Sequence, residues 1–131
     1  MKNTKFDKIV NVLHNMATHT LPVANASLAA CIVHKNDIVS IGINQKKTHP
    51  FQAQYCKHED AIFLHAETDA IKNALKVLEV NDLKRASLFV VRVTKDRKMA
   101  MAKPCEGCMR AIANFGIKNV FYSTRTSMEQ L

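Results

Sequence analysis

The stretch AIFLHAETDAIKNALKVLEV, residues 61–80, sets the frame for the whole chain. Ala66, Ala70, Ala74 and Leu78 recur every four residues with Ile71 and Leu75 beside them, which describes a helix with one smooth apolar face. Small alanines permit that face to pack closely on a sheet. Upstream, Leu28 to His34 is short and almost entirely apolar, Lys35-Asn36-Asp37 signals a turn, and Ile38 to Ile43 resumes the apolar pattern, so a β-hairpin is predicted. Asn44 to Asp60, which includes Phe51 and Tyr55, reads as a long polar loop. Further upstream, Phe6, Ile9, Val10, Leu13 and Met16 fall at helical spacing, and Thr4 with Asp7 forms a capping-box pattern that starts a first helix, ending before Pro22.

Downstream, Ala86 to Thr94 carries Leu88, Phe89, Val90, Val91 and Val93, a strong strand pattern. A basic segment, Lys95 to Lys103, leads into Pro104, which suits a helix start, and Gly116 suits its end. Ile117 to Tyr122 is a further strand, and Met128 to Leu131 is expected to add a short antiparallel one. The order helix, strand, strand, helix, strand, helix, strand predicts an α/β sandwich with right-handed crossovers. If the strands preceding the two crossover helices run parallel, both helices begin at the same sheet edge, where open α/β sheets place their sites. His65 and Cys105 then meet.

The chain has 131 residues with 47% hydrophobic content, enough for one domain with a real core, and residues 1–131 are read as a single domain. A formal charge of +8 in a chain of ordinary apolar content argues against disorder and favours a phosphorylated or polyanionic partner. No apolar run approaches the roughly 20 residues needed to span a bilayer, so no membrane role is expected. Lys2, Lys5, Asp7 and Lys8 interrupt the apolar residues at the N-terminus, unlike a secretory signal, and a reducing cytoplasm is the expected location. There the four cysteines are not expected to form disulfides.

Cys105 and Cys108 form a Cys-x-x-Cys pair opening one helix, and His65-Ala66-Glu67 opens the other. One imidazole and two thiolates make a three-ligand zinc set, which leaves the fourth tetrahedral position open, as in catalytic rather than structural sites. The first turn of a helix favours thiolates, the form that binds zinc. Glu67 stands two residues after the histidine, placed to take a proton from water and pass it on.

His-x-Glu followed by Pro-Cys-x-x-Cys resembles the zinc-dependent cytidine and deoxycytidylate deaminase superfamily. The resemblance runs from the first hairpin to the last strand. It implies a three-layer α/β/α sandwich of the cytidine deaminase type, with a mixed sheet of four to five strands. It implies one Zn2+ per chain on His65, Cys105 and Cys108, with Glu67 shuttling protons during hydrolytic deamination at C4 of cytosine. It also implies substrate contacts from Asn44, which ends the second strand, and from the backbone N–H of Ala66. His65-Ala66-Glu67 resembles deoxycytidylate, tRNA-adenosine and guanine deaminases, whereas many free cytidine deaminases have cysteine first. Gly42-Ile43-Asn44-Gln45-Lys46 departs from the Asn-x-Glu with which free cytidine deaminases grip ribose.

The expected substrate is therefore a cytosine nucleoside or nucleotide, with CMP or dCMP first. Lys46, Lys47 and Lys57 before one helix, and Lys95, Arg97, Lys98 and Lys103 before the other, are expected to rim the site and attract phosphate. Phe51 and Tyr55 either stack on a base or pin their loop. The enzymatic alternative is a nucleic-acid deaminase acting on tRNA adenosine or single-stranded DNA cytosine, with nucleic acid as partner. The non-enzymatic alternative is a nucleic-acid-binding module whose structural zinc is completed by Cys56 or His58. Cys31 reads as a core residue, and the family resemblance suggests a homo-oligomer.

Overall fold

The computed structural model describes residues 4–23, 26–55 and 64–131. Helix α1 spans Lys5–Thr18, and its start is the capping box expected from sequence: the Thr4 hydroxyl accepts the Asp7 N–H at 3.0 Å while the Asp7 carboxylate accepts the Thr4 N–H. Strands β1 (Ser27–His34) and β2 (Asp37–Ile43) form the predicted antiparallel hairpin. Lys35 and Asn36 both take positive φ, the backbone that a tight hairpin turn of this twist requires.

Helix α3 spans Ala66–Ala74, shorter than the helix expected over 61–80. It cannot begin earlier than His65, because the backbone of Leu64 is already paired with Gln45 and Lys47. Beyond Ala74 the regular ladder breaks into mixed steps, Lys76 to Asn73 and Val77 to Ala74 over three residues but Leu78 to Ala74 over four, and a 3-10 turn at Val80–Arg85 follows. The loop before α3 holds a short helix, α2 (Pro50–Ala53), which its polar composition did not announce. His49 starts it, its ring Nδ1 accepting the Phe51 N–H.

Strand β3 (Ser87–Val93) pairs antiparallel with β1 and parallel with β5 (Asn119–Ser123), and β6 (Met128–Gln130) adds antiparallel to β5 as expected. The path is β2-β1-β3-β5-β6. A sixth strand, β4 (Met99–Ala100), returns along Arg92 and Val93, so the expected four to five strands become six. Its two residues sit inside the basic Lys95–Lys103 segment, too short to leave an alternating pattern. Ser123 locks this corner: its hydroxyl oxygen accepts the Arg92 N–H at 3.0 Å, its hydroxyl donates to the Ala100 carbonyl, and its own carbonyl accepts the Ala102 N–H.

Since β1 is antiparallel to both β2 and β3, those two run the same way, and β5 runs with them. On one face α1 lays Ile9, Leu13 and Ala17 over Ala29, Cys31, Phe89 and Val91. On the other, α3 and α4 (Glu106–Asn114) cover Ala30, Ile32, Leu88 and Val90 with Ala66, Ala70, Ala74, Ala111 and Ile112. The result is the expected three-layer α/β/α arrangement around a mixed sheet.

The seam between α3 and β2 is unusually tight. A Cβ on Gly42 would lie 2.3 Å from the Ala70 nitrogen and 2.4 Å from the Ala66 carbonyl oxygen, so only glycine lets the helix backbone rest on this strand. Polar bonds stitch the same seam: the Ser40 hydroxyl donates to the Ala70 carbonyl, and the Asn73 amide to the Ile41 carbonyl. The buried Asp69 carboxylate accepts the Ile43 N–H at 3.1 Å and the Gln45 amide at 3.2 Å, while pairing with Lys72.

Candidate active site

His65 is the N-cap of α3, and its side chain makes no capping bond. Cys105 is the N-cap of α4, and its sulfur accepts the backbone N–H of Cys108 at 3.5 Å. The Cys-x-x-Cys spacing thus sets one thiol at the cap and the other one turn later, both at a helix start that favours negative sulfur. The two helix starts share the sheet edge at which β2, β3 and β5 end, and this brings residues forty positions apart together. His65 Nδ1 lies 3.2 Å from Cys108 Sγ and 3.5 Å from Cys105 Sγ.

All three donor atoms lie within 4.8 Å of one another. Zinc–nitrogen and zinc–sulfur bonds of ordinary length at a tetrahedral angle put nitrogen and sulfur roughly 3.5 Å apart, so the donor set and its spacing fit zinc. Among the described residues no other His, Cys, Asp or Glu joins this group. Cys56 and His58 lie outside the described residues. Cys31 lies on the opposite sheet face, under α1, as its core reading requires.

The charges of the cluster hold one another in place. The Cys105 thiol is brought down to about 3, chiefly by a hydrogen bond from the Cys108 side chain, against desolvation and with help from His65. Burial pulls His65 down, but the hydrogen bond to Cys105 and the charges of Glu67 and Cys105 outweigh it, so the imidazole sits above its ordinary value. Glu67, only 4% exposed, is raised by burial more than the His65 charge and its own backbone N–H lower it. A buried carboxyl with a raised pKa is suited to taking up and releasing a proton.

These groups open onto a cleft of about 710 Å3, the size range of small-molecule sites, lined by His65, Ala66, Glu67 and Cys105 on the helix side. As the first residue of α3, Ala66 carries a backbone N–H that the helix itself leaves unpartnered. Asn44 also lines the cleft, but its side chain ties the hairpin start as well: Oδ1 accepts the Leu28 N–H at 3.0 Å and Nδ2 donates to the Ala26 carbonyl at 2.8 Å. One amide N–H and one lone pair remain for a ligand.

Of the basic residues expected to rim the site, Lys46 and Lys103 line the cleft, Lys47 does not, and Lys57 lies outside the described residues. The turn holding Lys95, Arg97 and Lys98 instead faces α1, where the Arg97 carbonyl meets the His14 ring at 2.9 Å. Phe51 and Tyr55 pin their loop rather than face the cleft. Phe51 stacks on Phe115 at the end of α4, the Tyr55 carbonyl accepts the Arg110 guanidinium, and the Tyr55 hydroxyl accepts the Asn114 amide at 3.0 Å.

Three contributors escaped the sequence reading. Gln52, fully buried in α2, presents Oε1 to the His65 N–H at 3.0 Å and to the Thr68 hydroxyl, so it serves the helix start that His65 leaves uncapped. Asp69 moors that helix to the end of β2, through the bonds given above. Arg92 reaches the cleft from β3. Its signal was available: a lone cation in an apolar strand, at the alternating position shared by Leu88 and Val90.

Among the described residues no helix is long and apolar enough to cross a membrane. No curated protein sequence matches the chain. In fold it resembles the dCMP deaminase of the cyanophage S-TIM5 in its apo form, at 23% identity and a TM-score of 0.66, over 96% of this chain and 87% of that one. The same cyanophage enzyme in complex with dCMP and dUMP matches with a TM-score of 0.61 at 23% identity, over 93% and 82% of the two chains. Cytidine deaminase from Burkholderia pseudomallei matches at 17% identity with a TM-score of 0.64, over 92% and 90%. Residues 3–124 match the profile of the cytidine and deoxycytidylate deaminase zinc-binding region. The chain therefore belongs to the cytidine and deoxycytidylate deaminase family, whose members are hydrolytic enzymes.

Proposed function

We propose that this enzyme deaminates a cytosine nucleotide, CMP or dCMP in the first instance, to the uracil product with release of ammonia. The observation that carries the reading is the triangle of His65, Cys105 and Cys108 beside a buried Glu67 at the wall of a nucleotide-sized cleft. The phosphorylated substrate is supported by the cations on the cleft and by the likeness in fold to an enzyme solved with dCMP and dUMP.

In this reading His65, Cys105 and Cys108 hold one zinc ion, which when bound supplies the Lewis acidity that makes water an effective nucleophile near neutral pH. Glu67 takes a proton from the attacking water as its oxygen bonds to C4, and delivers that proton to ring N3. It then transfers the second proton of the water to the amino nitrogen, the C4–N bond breaks, and ammonia leaves as the C4 carbonyl forms. The Ala66 N–H and the free valences of Asn44 orient the base and sugar.

Ammonia release over cytidine, deoxycytidine, their monophosphates, adenosine, guanine and oligonucleotides, with chelator controls, tests the proposal. Turnover confined to adenosine, guanine or oligonucleotides defeats it. The charge of +8 favours a second reading, a polynucleotide substrate. That reading requires activity to fall steeply with ionic strength as phosphate contacts are screened, whereas a mononucleotide gives a much shallower dependence.

A further inference from the structure

Arg92 is the last cation before the cleft on the central strand. Its register partners are Leu28 on β1 and Ala100 on β4, and the Ser123 hydroxyl fixes its backbone N–H, so its position is set from three sides. Strand alternation turns it to the face of Leu88 and Val90, the face covered by α3 and α4. It is half-buried, yet no described carboxylate or carbonyl pairs with its guanidinium. Lys46, from the end of β2, and Lys103, from the approach to α4, line the same cleft, also without an ion pair among the described residues.

Three cations from three separate segments thus converge on a space whose described lining includes a single carboxylate, Glu67. Glu67 belongs to the reaction centre. Lys46 and Lys103 are exposed, but Arg92 is partly desolvated, and an unpaired, partly buried cation between two others is unfavourable unless an anion completes the set. The planar fork of arginine matches phosphate oxygens two at a time, which a lysine cannot do.

We infer that Arg92, flanked by Lys46 and Lys103, forms an anion subsite that takes the terminal phosphate monoester of the substrate, making Arg92 the residue that discriminates nucleotide from nucleoside. This rests on the cytosine-nucleotide reading above. Arg92 binds the phosphate and takes no part in proton transfer.

The test compares wild type, Arg92→Gln, Arg92→Lys and the exposed α1 charge control Lys8→Gln, on dCMP, deoxycytidine and an oligonucleotide. Each protein is also melted with and without inorganic phosphate. Wild type should prefer dCMP, and Arg92→Gln should cut kcat/KM for dCMP by about 10- to 100-fold, mainly through KM, as loss of a charge-assisted pair does. The dCMP preference over deoxycytidine should fall with it, and the rise in Tm given by phosphate should vanish. Lys8→Gln should keep both. If Arg92→Gln does not fold, Arg92→Lys decides, with a smaller drop in the same direction. An Arg92→Gln protein that folds and retains the dCMP preference and the phosphate shift overturns the subsite while leaving the cytosine-nucleotide reading intact. A wild type that prefers the oligonucleotide to dCMP overturns the assignment to a terminal phosphate. If wild type turns over no cytosine compound, the reading falls first, and the phosphate shift, present in wild type and lost in Arg92→Gln or still present there, upholds or overturns the subsite by itself.

Discussion

The amide oxygen of Gln52 accepts the backbone N–H of His65 at 3.0 Å, so a fully buried side chain from α2 completes the start of the helix that presents the histidine. His65 can then leave its imidazole facing the two cysteines instead of capping its own helix. Gln52→Ala strands buried donors and should cost about 1–3 kcal/mol. Denaturant melts should show that loss, and zinc content at limiting metal should fall with it. Unchanged stability would mean that Gln52 is dispensable to the helix start.

Glu67→Gln removes the proposed proton acceptor while keeping the shape of the side chain. Deamination should drop by at least the factor of about 100 to 10,000 typical of general acid–base catalysis, with zinc content and melting temperature retained. Ammonia release and metal analysis on one preparation check both halves. An active Glu67→Gln protein would refute the assigned role.

Cys108 is fully buried and Cys105 is exposed, yet both lie within reach of one His65 nitrogen. Cys105→Ala and Cys108→Ala should each abolish stoichiometric zinc binding, and Cys108→Ala should lower stability more because it also opens a gap under α4. Inductively coupled plasma analysis and thermal melts separate the two effects. Chelation of the wild type should abolish turnover, and added zinc should restore it.

A methyl group at Gly42 has nowhere to go, since the backbone of Ala66, Asp69 and Ala70 occupies its place. Gly42→Ala should destabilise by about 1–3 kcal/mol through overpacking. It should also depress kcat by moving His65 and Glu67 together, whereas Ala17→Gly in α1, on the opposite face of the sheet, should act through stability alone. Calorimetry combined with kcat measured well below the melting temperature checks this.

Burial pushes the Cys31 thiol up to about 12 from an ordinary 9.0. Between those values the unfolded chain releases a proton that the folded chain retains, so stability contributed by the protonated thiol is complete below pH 9 and is lost as pH climbs towards 12. The loss from this one group is at most about 1.4 kcal/mol per pH unit. Cys31→Ala should therefore flatten the alkaline limb of the stability curve relative to wild type, and parallel limbs would refute the account.

Most of the fold was legible because each element carries its own local signal: the Thr4 and Asp7 cap, the Lys35-Asn36 turn, the alanine stripe and Gly116 at the end of α4. That His65, Cys105 and Cys108 would meet beside Glu67 was legible for a different reason, since these residue types have few roles at helix starts. What stayed hidden depends on contacts between distant segments. Gln52 is an ordinary loop glutamine until α2 folds under α3, Asp69 an ordinary helical carboxylate until it meets the Ile43 N–H, and β4 exists only because Ser123 and Arg92 give two residues a partner. For Phe51 and Tyr55 composition left two readings open, stacking on a base or pinning their loop, and only the packing on Phe115, Arg110 and Asn114 decides for the second.

The bare strand surface at Gly42 has a consequence for how such an enzyme changes substrate. Where side chains separate a helix from its sheet, small repackings let the helix slide and retune a pocket by fractions of an ångström. Here backbone rests on backbone, so the α3 groups have no slack to redistribute. New specificities must instead be written on the rim, at strand ends and connections such as those carrying Lys46, Arg92, Met101 and Lys103, while the chemistry beneath stays in register.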